Sequence, residues 1–186
     1  MTAPTSFLYL KVTCMQLRYS MALGSAVALS APAWAADLQL RVEVPRLTVA
    51  EYHTPYVAVW LQSAADQKFA GNLAVWYDVK KRDNAGTKWL KDMRSWWRVS
   101  GRALEMPVDG VSGATRAPGE HTLNLGNAKA LAELPPGQYE LLIEAAREGG
   151  GREVVKVPFA WPVKTADSSS VKGEHELGAV SLSVKP

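Results

Sequence analysis

Residues 37–44 read Asp-Leu-Gln-Leu-Arg-Val-Glu-Val, a strict two-residue alternation of polar and apolar side chains. Leu38, Leu40, Val42 and Val44 share one face only if this stretch is extended, because a helix would scatter them around its circumference. A strand with one wet face and one buried face needs an apolar sheet to pack against. The rest of the chain supplies it. Residues 56–61 (Tyr-Val-Ala-Val-Trp-Leu), behind Pro55, are apolar on both faces, as in a central strand. Residues 73–79 (Leu-Ala-Val-Trp-Tyr-Asp-Val) form another strand, and the polar residues 62–68 between them suit a hairpin. Pro135-Pro136-Gly137 is a strong turn before residues 138–146, where Tyr139, Leu141, Ile143 and Ala145 fall on one face. Gly149-Gly150-Gly151 then turns into residues 152–161, in which Pro158 cannot donate a ladder hydrogen bond and places the far end of this strand at an edge or bulge. A last strand is expected at residues 177–184, after a polar stretch at 165–176 in which Ser168–Ser170 reads as loop. Short strands punctuated by turns predict a mainly β fold, an antiparallel β-sandwich with immunoglobulin-like architecture.

Residues 87–98 break this pattern. Trp89, Met93, Trp96 and Trp97 recur at helical spacing beside Leu90, with Thr87 placed to cap the start and Gly101 to end it. The expectation is a short Trp-rich helix covering one end of the sandwich, and a second short turn or helix is expected within residues 128–134.

The opening residues belong to a different kind of segment. A basic start (Lys11, Arg18), an uncharged apolar run at residues 21–29 and small residues at Ala33 and Ala35 are the parts of a secretory signal peptide. Cleavage is expected after Ala35 or Ala36, and Met15 is an alternative start. The apolar run is shorter than the ~20 residues that span a bilayer. The expected organisation is a signal peptide over residues 1–35 and one sandwich domain over 36–186, located in the periplasm, with no membrane span once the leader is removed. The leader carries Lys11, Arg18, no acid and the only cysteine, Cys14. Of 21 Lys plus Arg and 18 Asp plus Glu, the remainder therefore keeps 19 and 18, and a net charge of +3 falls to +1. A domain without cysteine has neither disulfide nor thiolate chemistry. Near-neutrality also excludes a strongly basic nucleic-acid binder.

That near-neutrality is unevenly built. Residues 80–102 hold eight cations (Lys80, Lys81, Arg82, Lys88, Lys91, Arg94, Arg98, Arg102) against Asp83 and Asp92, a local +6 that leaves −5 elsewhere. Two readings fit: a solvated helix face with a hairpin, or a surface that holds an anion or an acidic partner.

Signs of catalysis are sparse. His53, His121 and His175 are isolated in sequence, and a blue-copper site needs a thiolate, so no metal site is expected. Gly110-Val-Ser112-Gly-Ala114 approaches the G-x-S-x-G nucleophile elbow but ends in alanine, and the residues after Gly113 lack a helical pattern. Neither paired carboxylates on one strand face nor a triad is legible, and the chain is not expected to be an enzyme.

Residues 109–119, Asp-Gly-Val-Ser-Gly-Ala-Thr-Arg-Ala-Pro-Gly, read first as a surface loop of small residues in which Asp109 caps a turn. Within it, Asp109-Gly110-Val111-Ser112-Gly113-Ala114-Thr115 resembles the flavin-attachment motif of secreted FMN-binding domains. There a flavin transferase uses FAD to join FMN, through a phosphodiester, to a threonine hydroxyl. The resemblance implies that Thr115 is the attachment residue, with Asp109 and Ser112 read by the transferase and the small Ser112, Gly113 and Ala114 leaving room for it. The likeness stops at the threonine: Ala117 stands where such domains often carry another Ser or Thr. Segments spread over the chain (Glu51 to Trp60, Asn72 to Asp78, Lys88 to Asp92, Ser95 to Arg98 and Asp109 to Gly119) together resemble a bacterial predicted-periplasmic family of unknown function, domain of unknown function 2271. Members of that family often look like partners of flavin transferases and of PepSY-type membrane proteins in extracytosolic redox systems.

Two functional expectations result. One is a non-catalytic redox component carrying covalent FMN on Thr115, with Tyr52, Tyr56 or one of Trp89, Trp96 and Trp97 stacked on the ring and Arg94, Arg98, Arg102 or Arg116 paired with the phosphate. The other is a cofactor-free binding or adaptor module that engages a partner through a sheet edge or the Trp-rich segment. In both, the aromatic rings also serve as core or lid.

Overall fold

A computed structural model of the protein describes residues 37–186. The leader read over residues 1–35, with Cys14 and the cleavage point, lies outside the described residues. Four strands form one sheet: β1 (Asp37–Val44), β5 (Gly119–Asn124), β8 (Asp167–Lys172) and β9 (Ala179–Lys185), in the order β5-β1-β9-β8. The other five form a second: β2 (Tyr56–Ser63), β3 (Phe69–Tyr77), β4 (Ser112–Ala114), β6 (Gly137–Ala146) and β7 (Arg152–Trp161), in the order β4-β3-β2-β6-β7. Every pairing is antiparallel except β3 with the three-residue β4, which run parallel. Two helices, α1 (Arg94–Val99) and α2 (Lys129–Ala132), are short. The expected β-sandwich is the observed architecture.

The alternation in β1 sets the inner layer. Leu38, Leu40, Val42 and Val44 are buried and meet Val57, Val59, Leu61, Leu141 and Ile143 from the facing sheet in one core. Each fully buried aliphatic side chain contributes about 1.5–3 kcal/mol relative to exposure. The strand β2 lies between β3 and β6, and its odd-numbered residues fill this core, as a strand apolar on both faces should. Its other face needs a cover. Tyr56, Ala58 and Trp60 pack with Val75, Tyr77 and Leu142 under Leu90, Met93 and Trp96, a second core on the outer side of the five-stranded sheet. The Trp-rich segment therefore covers a sheet face, not the end of the sandwich.

Nor is it one helix. A 3₁₀ segment (Arg82–Asp92) is interrupted by positive φ at Asp83 and Asn84, and it stops at Met93, where ψ is 71°. A new helix, α1, starts beyond it. The cause lies across the sheet: the fully buried carboxylate of Glu144 on β6 accepts the backbone N–H groups of Ser95 at 3.0 Å and Trp96 at 2.7 Å. Those are donors that a continuous helix would have spent internally, and an anion at a helix start is favoured. Arg152 compensates the charge, 2.7 Å from Glu144. Thr87 does not cap; its hydroxyl donates to the Asn84 carbonyl.

Three strands escaped the sequence reading. β5 and β8 are edge strands of polar composition, and Ser168–Ser170 pairs with β9 through backbone bonds that need no apolar side chains. The third is β4, inside the motif segment. Pro158 behaves as expected: β7 pairs only with β6 and is an edge.

Candidate functional site

Residues 109–115 are built as a turn followed by an edge strand. Gly110 has φ +72°, a conformation glycine adopts at little cost. The turn closes on itself: Ser112 N–H donates to the Val108 carbonyl at 2.8 Å, and Val108 N–H donates to Ser112 Oγ at 2.8 Å. The Ser112 hydroxyl thus holds the turn. Next, Val75 N–H donates to the Val111 carbonyl, and Ser112, Gly113 and Ala114 lie opposite Val75, Trp76 and Tyr77. A Cβ on Gly113 would stand 3.4 Å from the Trp76 indole, an ordinary van der Waals contact, so this position packs against that ring.

Thr115 ends this strand. Its N–H donates to the Tyr77 carbonyl at 3.0 Å, and its hydroxyl donates to the Pro55 carbonyl at 2.6 Å. The residue is half-buried, between exposed Ala114 and exposed Arg116. Donating its only proton leaves Oγ1 lone pairs free, and a backbone carbonyl is no base. A base to activate this hydroxyl as a nucleophile is not supplied by the group it donates to. The Arg116 guanidinium lies 4.5 Å from the Trp76 ring centre, which fixes a cation next to the threonine. Asp109 is exposed.

Tyr56 and Thr54, which flank Pro55, line a cavity of about 160 Å³ together with Tyr52, Asp78, Lys81 and Trp89. Burial pushes the Tyr56 phenol up to about 12, and its hydroxyl donates to the Gly86 carbonyl. Lys81 is raised by its hydrogen bond to Asp78, 2.9 Å away. Tyr52 is also raised, chiefly by burial, and its hydroxyl is buried without a hydrogen-bond partner. Of the aromatic candidates, Tyr52, Tyr56 and Trp89 stand at this cavity. Trp96 does not: it is fully buried, with its indole N–H donating to Asn72 Oδ1. Trp97 packs at the margin of the second core. Of the arginines, Arg116 adjoins Thr115 in the chain, whereas Arg94, Arg98 and Arg102 project from the helical layer.

Sequence reasoning missed a set of structural carboxylates. Besides Glu144, Glu153 on β7 accepts four backbone N–H groups, from Glu174, His175, Glu176 and Leu177. Burial alone pushes its carboxyl up, and the four donors more than reverse that, leaving it below its ordinary value. Glu176, in turn, accepts a bidentate pair from Arg147 at 3.1 and 3.0 Å and the Gly151 N–H at 2.9 Å. The available signal was a lone carboxylate inside an apolar strand, as in Leu-Leu-Ile-Glu144-Ala-Ala. Among the described residues, no cluster of three His, Cys, Asp or Glu side chains is placed to hold a metal. No helix there is long and apolar enough to cross a membrane.

The family described as "Predicted periplasmic protein (DUF2271)" matches residues 37–179, and the chain belongs to it. The match covers the sandwich from β1 to the start of β9, including the 109–115 segment and the cavity. The family is described as periplasmic, and the protein is periplasmic. No curated protein and no solved structure matches the chain.

Proposed function

We propose that this member of the predicted periplasmic family is a non-catalytic redox component that carries FMN bound covalently to Thr115. The observation behind this reading is the position of the Thr115 hydroxyl: at the end of an edge strand, oriented by the Pro55 carbonyl and flanked by small or exposed residues. A transferase needs such a hydroxyl within reach. The residues present fit the group in a particular way. The neighbouring cavity, about 160 Å³, falls below the ~300–1,000 Å³ of pockets that engulf a drug-sized ligand. A flavin would thus be retained by its bond to Thr115 and not by enclosure, with Arg116, next in the chain, as the cation for its phosphate and Tyr52, Tyr56 and Trp89 of the cavity as candidate rings for stacking. Bound there, FMN would supply one- and two-electron chemistry, while the protein supplies position and electrostatics.

Attachment makes Thr115 Oγ1 the nucleophile toward the FMN phosphorus of FAD. The Oγ–P bond forms, the pyrophosphate P–O bond breaks, AMP leaves and the hydroxyl proton passes to the transferase. Asp109 and the Ser112–Gly113–Ala114 strand are the elements the transferase reads. The partners of this reading are that transferase and a PepSY-type membrane redox protein.

Co-expression in the periplasm with a flavin transferase tests it. A band fluorescent after denaturing electrophoresis, absent in Thr115→Ala and retained in Thr115→Ser, is the expected result. An unmodified intact mass for the wild-type chain under those conditions overturns the carrier and leaves the cofactor-free binding module as the reading.

A further inference from the structure

The layer that covers the outer face of the five-stranded sheet has two sides. Leu90, Met93 and Trp96 point into the second core at intervals of three. Lys88, Lys91, Arg94, Arg98 and Arg102 recur at intervals of three and four, and all five are exposed. Lys80, Lys81 and Arg82 extend the same charge at the start of the segment. Among the described residues only Lys81 of these eight has a carboxylate within ion-pair distance, Asp78. Among the described residues the other seven have no carboxylate within ion-pair distance, and Asp83 and Asp92 offset only part of the segment's charge. Structural cations in this protein look different: Arg147 and Arg152 each grip a buried carboxylate, Glu176 and Glu144.

Apolar side chains are interleaved with this array. Val99, between Arg98 and Ser100, is 45% exposed, the most exposed of the large apolar residues described. Trp89 and Trp97, beside Lys88 and Arg98 in the chain, pack inward against the second core and are not part of the outer surface. An exposed array of Lys and Arg with one exposed aliphatic residue in its midst suits an anionic headgroup layer, which attracts basic segments electrostatically. A fluid anionic surface also accommodates an array interrupted at Met93, where the chain changes helical type, because it demands no fixed spacing from its ligand.

We propose that this basic layer docks the protein on an anionic phospholipid surface. Docking of this kind is independent of Thr115 and stands whether or not the chain carries a flavin. Membrane attraction is worth about fivefold in partitioning for each Lys or Arg close to the surface. With +6 on the layer and −5 over the rest of the domain, the molecule also turns this side toward negative charge as it approaches.

Flotation with vesicles of phosphatidylethanolamine and phosphatidylglycerol, against vesicles of phosphatidylcholine, tests it on protein purified from the periplasm. Binding to the anionic vesicles alone is expected, and it should vanish near about 1 M salt, where the screening length is about 3 Å. The variant Lys88→Ser, Lys91→Ser, Arg98→Ser, Arg102→Ser should lose at least about a hundredfold in partitioning. A control of equal net charge, Lys129→Ser, Lys164→Ser, Lys172→Ser, Lys185→Ser, removes four exposed lysines outside the layer and should bind to within a few-fold of wild type. Val99→Ser, which leaves charge untouched, should lose several-fold; with the salt titration it decides the question if the fourfold layer variant does not fold. The proposal is overturned by absence of binding at low salt, by equal binding to both vesicle types, or by equal losses in the two fourfold variants. It is overturned in favour of an acidic protein partner if immobilised polyglutamate captures the protein through this layer while the vesicles do not.

Discussion

Two segments, residues 173–178 between β8 and β9 and residues 109–115, a turn with the short β4, solve the same problem in opposite ways. Neither has enough apolar side chains to be held by burial. The first is pinned by carboxylates: Glu153 takes four of its backbone donors, and Glu176, inside it, reaches out to Arg147 and Gly151. The second is held by its own turn and by backbone pairing with β3, and it ends on a hydroxyl whose single bond runs to Pro55. Charge-assisted bonds to buried groups are strong and costly to break, so they suit a segment that must not move. Neutral bonds at a sheet edge hold a segment while leaving its side chains reachable. The contrast separates a structural clamp from a presented site.

Breaking the clamp should have the larger consequences. Glu176→Ala leaves the Arg147 guanidinium, 8% exposed, without its carboxylate and should cost about 3–5 kcal/mol in denaturant unfolding. Glu153→Ala removes the acceptor of four backbone donors, two of them open to water, and should cost about 1–2 kcal/mol by the same measurement. Acid should weaken the same end of the sandwich. The Glu153 carboxyl is depressed in the folded chain relative to its ordinary value of 4.5. Its contribution is therefore complete above that value and is lost as pH falls through the folded pKa. Glu153→Gln should flatten the acid limb of a melting-temperature profile, and an unchanged limb would assign acid sensitivity to other carboxylates. On the presented side the effects are no larger. Gly110→Ala forces a side chain into positive φ and should cost about 1–2 kcal/mol. Thr115→Ala removes one part-buried hydrogen bond at the sheet edge and should cost about 1 kcal/mol, while abolishing any covalent flavin. A large loss of stability in Thr115→Ala would erase the distinction between the two segments.

Much of the frame was legible from side-chain periodicity. The alternation at residues 37–44, the two-faced apolar run at 56–61, the face shared by Tyr139, Leu141, Ile143 and Ala145 and the edge status implied by Pro158 all match the strands observed, because strand faces are set by residues two apart. β5 and β8 were not legible. Edge strands are held by backbone bonds and tolerate Glu120, Thr122 or three serines in a row. The Trp-rich segment was recognisable as helical but not in its break or its place. Both depend on Glu144, which is about fifty residues away in the chain and supplies the anion at which α1 begins.

The candidate site divides in the same manner. Residues 109–115 stood out in the sequence because a run of small residues ending in a hydroxyl is a local feature. That the run pairs parallel to β3, that the Thr115 hydroxyl meets Pro55, and that Thr54 and Tyr56 on either side of Pro55 line a small cavity depend on contacts between residues tens of positions apart. Local pattern decides which side of a strand is buried and where a turn falls, since those depend on nearest-neighbour geometry and solvent. Which strands become neighbours, and which buried charge meets which donor, are settled only when the whole sandwich closes and every desolvated polar group must find its partner.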